Sequence, residues 1–173
     1  MKPTLFTATA IAALALGAGI ASAHITLETR EAAVGTTYKA VFRVSHGCGG
    51  EPTTAVRIRI PEGVIGVKPM PKVGWSLAKV HSAYAQSHDL HGSPVSEGVT
   101  EVAWSGGNLP DDEYDEFVLR ASLSTDLAPN TMLYFPVVQE CAAGGVERWI
   151  EIPEPGESPD DYETPAPGLK LLP

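Results

Sequence analysis

The residues best suited to chemistry begin at a junction. His24 follows Ala21-Ser22-Ala23, the small-x-small stretch that a signal peptidase reads. A cut there makes histidine the first residue of the mature chain. Its α-amino nitrogen and ring Nδ1 can then hold one metal ion as a chelate. Amine and imidazole nitrogens suit Cu(II), which stands at the top of the divalent affinity order. Both nitrogens bind only after losing their protons, so affinity is expected to fall with pH. The competing reading of His24 is an ordinary histidine at a strand edge.

Other candidates are weaker. His46, two residues before Cys48, is either a second ligand or a loop histidine bonded to backbone. His81, His88 and His91 fall in one polar stretch. They read as an exposed cluster, with a second, weaker copper or zinc site as the alternative, since ordering a loop around a metal costs entropy. Met70 is a lone soft donor. The acidic run Asp111-Asp112-Glu113 with Asp115-Glu116 lacks the alternating ligand spacing of a calcium loop and reads as a solvated face. No Ser-His-Asp set, GxSxG, HExxH or phosphate loop appears, so an enzyme is not expected.

These residues need a scaffold, and the chain describes one. After Lys2, an uncharged Ala/Leu-rich run from Leu5 to Ile20 leads to the cut, which reads as a secretory signal over 1–23. Removing 23 of 173 residues leaves 150, the size of one domain, with no further stretch apolar enough to span a membrane. The signal carries Lys2 and no acid, so the net charge moves from −9 to −10. An acidic chain without a basic patch excludes nucleic-acid binding. The expected location is periplasmic or secreted. Two cysteines meeting an oxidising compartment should pair. A Cys48–Cys141 disulfide closes a loop of 141 − 48 = 93 residues, stabilising by at most about 4–5 kcal/mol in the chain-entropy model. A thiolate metal site is the rival, without CxxC spacing to support it.

From His24 onward, short alternating runs are broken by Gly and Pro. Strands are expected at His24–Thr29, Thr37–Ser45, Thr53–Ile60, Val64–Lys68, Trp75–Val80, Val99–Trp104, Glu116–Leu123, Thr131–Gln139 and Val146–Ile152. In the third run, Val56, Ile58 and Ile60 share one face, while Ala55, Arg57 and Arg59 share the other. The fold class is all-β, an immunoglobulin-like or cupredoxin-like β-sandwich over 24–152, with a barrel as the alternative. His81–Gly98 reads as a long polar loop. Residues 153–173 hold six prolines and five acids and read as an extended tail, unable to form a packed strand, that lies on the domain through Leu169, Leu171 and Leu172.

A resemblance runs through nearly the whole mature chain. Its pieces are Ala-Ser-Ala-His-Ile-Thr-Leu at 21–27, His-Gly-Cys at 46–48 with Pro-Thr-Thr at 52–54, Ile-Pro-Glu-Gly-Val at 60–64 and Gly-Trp at 74–75. Asp-Glu-Phe at 115–117, Phe-Pro-Val-Val-Gln-Glu-Cys at 135–141 and Trp-Ile-Glu-Ile-Pro at 149–153 complete the set. In this order the chain resembles the YcnI-like family of exported copper-binding domains. The resemblance implies one Cu(II) held by the N-terminal histidine alone, with a carboxylate ligand and a tryptophan near the metal. His24 matches the histidine and Trp149 the tryptophan, whose competing reading is core packing. Glu51 is the first match for the carboxylate and Glu28, two-residue period from His24, the second. The function this implies is buffering, trafficking or delivery of copper. The expected partners are the copper ion and a further periplasmic copper protein or membrane copper transporter. The alternatives are a copper monooxygenase with His46 as a second brace histidine, and a metal-free structural sandwich.

Overall fold

A computed structural model describes residues 24–173; the expected signal over 1–23 lies outside the described residues. The described strands are β1 (Thr26–Leu27), β2 (Glu31–Ala33), β3 (Thr37–Val44), β4 (Thr53–Arg59), β5 (Val64–Pro69), β6 (Ser76–Leu90), β7 (Ser93–Leu109), β8 (Asp115–Leu123), β9 (Met132–Tyr134), β10 (Val137–Cys141), β11 (Val146–Trp149) and β12 (Gly168–Leu172). They form sheets of order β1-β3-β8-β5, β11-β10-β4-β7-β6 and β2-β12-β9. No helix among the described residues is long and apolar enough to cross a membrane.

The architecture is the expected all-β sandwich. One core takes Phe42, Phe117 and Leu119 from the four-stranded sheet and Val56, Ile58, Val102, Trp104 and Val137 from the five-stranded one. In β4 the alternation works as the sequence dictates: Val56, Ile58 and the following Ile60 are buried while Arg57 and Arg59 face out. Each large side chain fully buried this way contributes roughly 1.5–3 kcal/mol. Aromatic edges lock the layers together. Trp104 meets Phe117 at 5.6 Å between centroids, Trp75 meets Phe117 at 4.9 Å, and the Trp104 indole N–H donates to the Met70 carbonyl at 3.0 Å.

Three expectations need correcting. His81–Gly98 is not a loop but the far half of the β6–β7 hairpin, turning at Leu90–Ser93. Most of this half is exposed on both faces, so no hydrophobic alternation marks it. Thr131–Gln139 is two strands in two sheets: Phe135-Pro136 breaks the run, and proline has no N–H for a ladder. The C-terminal segment does end in a packed strand. It runs irregularly from Pro153 to Pro167, with a capped 3-10 turn at Pro159–Asp161. β12 then pairs parallel with β2 and antiparallel with β9, burying Leu169 and Leu171. Those two leucines, spaced by two, outweigh the proline content around them.

Candidate metal centre

Three elements bring the site together. β1 anchors the N-terminal segment through Thr26 opposite Arg43 and Leu27 opposite Phe42. Ile25 and Leu27 sink into the core, so His24, one step earlier in the alternation, is half-buried at the rim. β11 ends at Trp149, 5% exposed and opposite Val137 of β10. The segment after β3 supplies His46. The His24 ring stands edge-on to the Trp149 indole at 5.8 Å between centroids, and the His46 ring does the same at 5.9 Å.

A residue the sequence reading did not single out holds this arrangement. Gln139 on β10 is fully buried and makes three hydrogen bonds. Its Oε1 accepts from the Trp149 indole N–H at 3.0 Å. Its Nε2 donates to the His46 carbonyl and to Thr53 Oγ1, both at 2.7 Å. One amide thus fixes the indole, the His46 main chain and β4. The available signal was a polar residue at an inward step of the Val137–Gln139–Cys141 alternation, because buried amides are kept where their bonds are made.

The His46 loop is fastened from several sides. The Gly47 N–H donates to Asp111 Oδ1 at 2.8 Å. A Cβ on Gly47 would meet the Glu51 carbonyl at 1.8 Å, so only glycine fits. Cys48 and Glu51 exchange backbone bonds of 3.1 and 3.2 Å around Gly49-Gly50, both at positive φ. The expected disulfide is present: Cys48 and Cys141 are bonded, with Cα atoms 5.9 Å apart. The His46 Nδ1–H donates to the Gly47 carbonyl.

The carboxylates are placed differently. Glu51 is exposed and its main chain serves the Cys48 turn. Glu28 is also exposed and on the His24 side of the alternation. Its charge reaches Tyr114, whose phenol is pushed up to about 12, mainly by burial and by its hydrogen bond to Glu116. Among the described residues, no three of His, Cys, Asp and Glu gather as a metal cage. A chelate that uses the chain's own amine needs fewer side chains, and His24 and His46 each stand against the Trp149 indole. A cavity of about 180 Å³ opens beside His24, with Arg30, Met132, Asp160 and Ala166 among its walls. The other histidines do not join. His88 is buried elsewhere, and His91 sits at the hairpin turn with φ +55.

The family model described as "Domain of unknown function (DUF1775)" matches residues 24–171. An uncharacterized protein from Nocardia farcinica, whose crystal structure has an immunoglobulin-like fold, is similar at 24% identity. The match covers 87% of this chain and 99% of that one, with a TM-score of 0.63. A DUF4466 family protein from Parabacteroides merdae matches at 12% identity and TM-score 0.29, over 73% of this chain and 39% of that one. No protein with a curated description matches the sequence.

Proposed function

The chain belongs to the family described as a domain of unknown function, DUF1775, and from that premise we propose that it is an exported protein that binds Cu(II) at His24 to buffer or deliver it. The observation that carries the reading is that His24, the first residue of the matched domain, and His46 both stand edge-on to one buried indole, Trp149. Cleavage before His24 adds an α-amine to that imidazole. Trp149 supplies an apolar wall, and a walled Cu(II) exchanges water and electrons less readily. The Cys48–Cys141 bond agrees with an oxidising compartment outside the cytosol. Copper is cargo here, given up to or received from a periplasmic copper protein or a membrane transporter. Glu51 or Glu28 completes the ligand set with one carboxylate oxygen.

A second reading has one observation in its favour. His46 lies at the same indole as His24, so a two-histidine copper monooxygenase is the enzyme alternative. Titrating Cu(II) into protein beginning at His24, and into the same protein with one glycine added ahead of it, tests both. The first should take one tight equivalent and the second should lose it. Equal uptake by both overturns the amine-plus-imidazole site. Nitrogen hyperfine structure in the EPR spectrum then separates one coordinated histidine from two.

A further inference from the structure

The β6–β7 hairpin is much longer than the sheet it belongs to. Its register breaks between Val80 and His81 and again between Ala83 and His88. Beyond these breaks it reaches β5, the edge of the opposite sheet. Leu90 packs over Gly66, where an added Cβ would meet its Cδ2 at 3.2 Å. The Tyr84 phenol bonds to Gly66 backbone, passing so close to Gly98 that a Cβ there would lie 1.8 Å from its oxygen.

At the centre of this attachment is His88, 2% exposed. Its Nε2 meets Glu62 Oε1, from the β4–β5 turn, at 2.8 Å. Its Nδ1 meets Asp126 Oδ2, from the segment after β8, at 2.9 Å. Ser124 Oγ donates to the same Asp126 oxygen at 2.8 Å, and the Ala85 N–H donates to Glu62 Oε1 at 3.1 Å. Both carboxylates only accept. A neutral imidazole has one N–H, so it can satisfy one of them and must point a lone pair at the other. Only the imidazolium donates to both. The two carboxylates lie on opposite ring nitrogens, so they cannot share one metal ion with the ring.

We propose that His88, held as an imidazolium between Glu62 and Asp126, is a proton-operated latch that fastens the far half of the β6–β7 hairpin to the β5 edge. Loss of one proton leaves an acceptor facing an acceptor and loosens the hairpin. The ring is shut off from water, but the Glu62 and Asp126 side chains are 44% and 46% exposed, so the proton leaves through them.

The other groups facing His88 fit this role. Burial works against charge on the ring, yet the bonds and charges of Glu62 and Asp126 outweigh it and raise His88 above its ordinary value. Asp126 is lowered by its bonds from His88 and Ser124. In Glu62 burial pushes upward, and the bonds from His88, Ala85 and Gln86 overcome it. Tyr84, edge-on to the ring at 5.6 Å, is raised by burial and by the Glu62 charge, and stays neutral. Asp89 is turned to the hairpin end, accepting from the Gly92 N–H. A raised histidine stabilises fully below its unfolded value, about 6.5, and loses that contribution as pH rises through its folded value. The lowered carboxylates stabilise above about 4 and lose it as pH falls through theirs. The latch is therefore tightest between those limits and opens on the alkaline side.

Nitrogen-15 NMR of the His88 ring, with amide exchange protection from pH 5 to pH 9.5, tests this on the whole protein. Ring titration above about 6.5 is expected. Protection of Ala83–Val99 amides should then fall by up to about tenfold per pH unit between about 6.5 and the ring's midpoint and level off above it, relative to β3 and β8. Asp126→Asn supplies an amide donor that a neutral ring can accept, so this variant should stay latched at high pH and lose the dependence. His88→Gln should lack a titration altogether. Hairpin protection that tracks β3 and β8 throughout, a ring titrating at or below its ordinary value, or unchanged pH dependence in Asp126→Asn overturns the latch. None of these readouts involves copper.

Discussion

Two histidines in this molecule are held in opposite ways. His46 is positioned through its main chain: its carbonyl accepts from Gln139, and the next N–H is taken by Asp111. Its ring faces Trp149, with Nδ1–H on the Gly47 carbonyl. His88 is positioned through the ring itself, with a carboxylate on each nitrogen. The first mode rests on main-chain hydrogen bonds, one of them to a carboxylate, and on a disulfide, with the ring turned toward the indole. The second consumes both nitrogens and makes the attachment depend on a proton. The same side chain is thus a candidate ligand at one end and a structural cation at the other, and what decides is the partner of each ring nitrogen.

The comparison breaks most severely if the covalent fastening is removed. Replacing Cys48 and Cys141 with Ala should lower the unfolding free energy by up to about 4–5 kcal/mol, the chain-entropy figure for a loop near 100 residues. Urea unfolding at pH 6 and pH 9 should give the same loss at both, since no titrating group is involved. A loss confined to one pH would mean that the two regions are coupled. Gln139→Leu comes next. It takes the partner from the buried Trp149 N–H and from buried Thr53 Oγ1, at about 2–3 kcal/mol. Trp149 fluorescence should shift, again without pH dependence, and an unshifted spectrum would deny Gln139 its hold on the indole. The smallest effect belongs to Glu51→Gln. Stability should stay within about 0.5 kcal/mol, as for exposed positions generally. Copper affinity, read by competition titration, should fall; no change would transfer the proposed carboxylate role to Glu28.

The parts of this contrast that were legible in sequence are those carried by local pattern. The alternation of β4, the pairing of Cys48 with Cys141 and the sandwich class all follow from spacing and compartment. His24 stood out because it follows a cleavage pattern, and Trp149 because of the resemblance. What stayed hidden depends on contacts distant in sequence. Nothing around Ser-His-Asp-Leu at 87–90 says that Glu62 and Asp126 close on His88, and the polar composition there is that of a loop. β12 was masked by neighbouring prolines, although Leu169 and Leu171 carried the alternation. Gln139 was visible only as a polar interruption whose partners, Trp149 and His46, lie on other segments.

The pairing of β12 with β2 has a consequence for the order of events in folding. Lys170 lies in parallel register with Glu31, so one of the first strands made waits for nearly the last. Such a contact closes a very long loop, and contacts of that kind are slow to form. A chain emerging from a ribosome therefore carries an incomplete third sheet, and the seats of Leu169 and Leu171 stay unfilled until β12 arrives. Closure of that sheet waits on Gly168–Leu172.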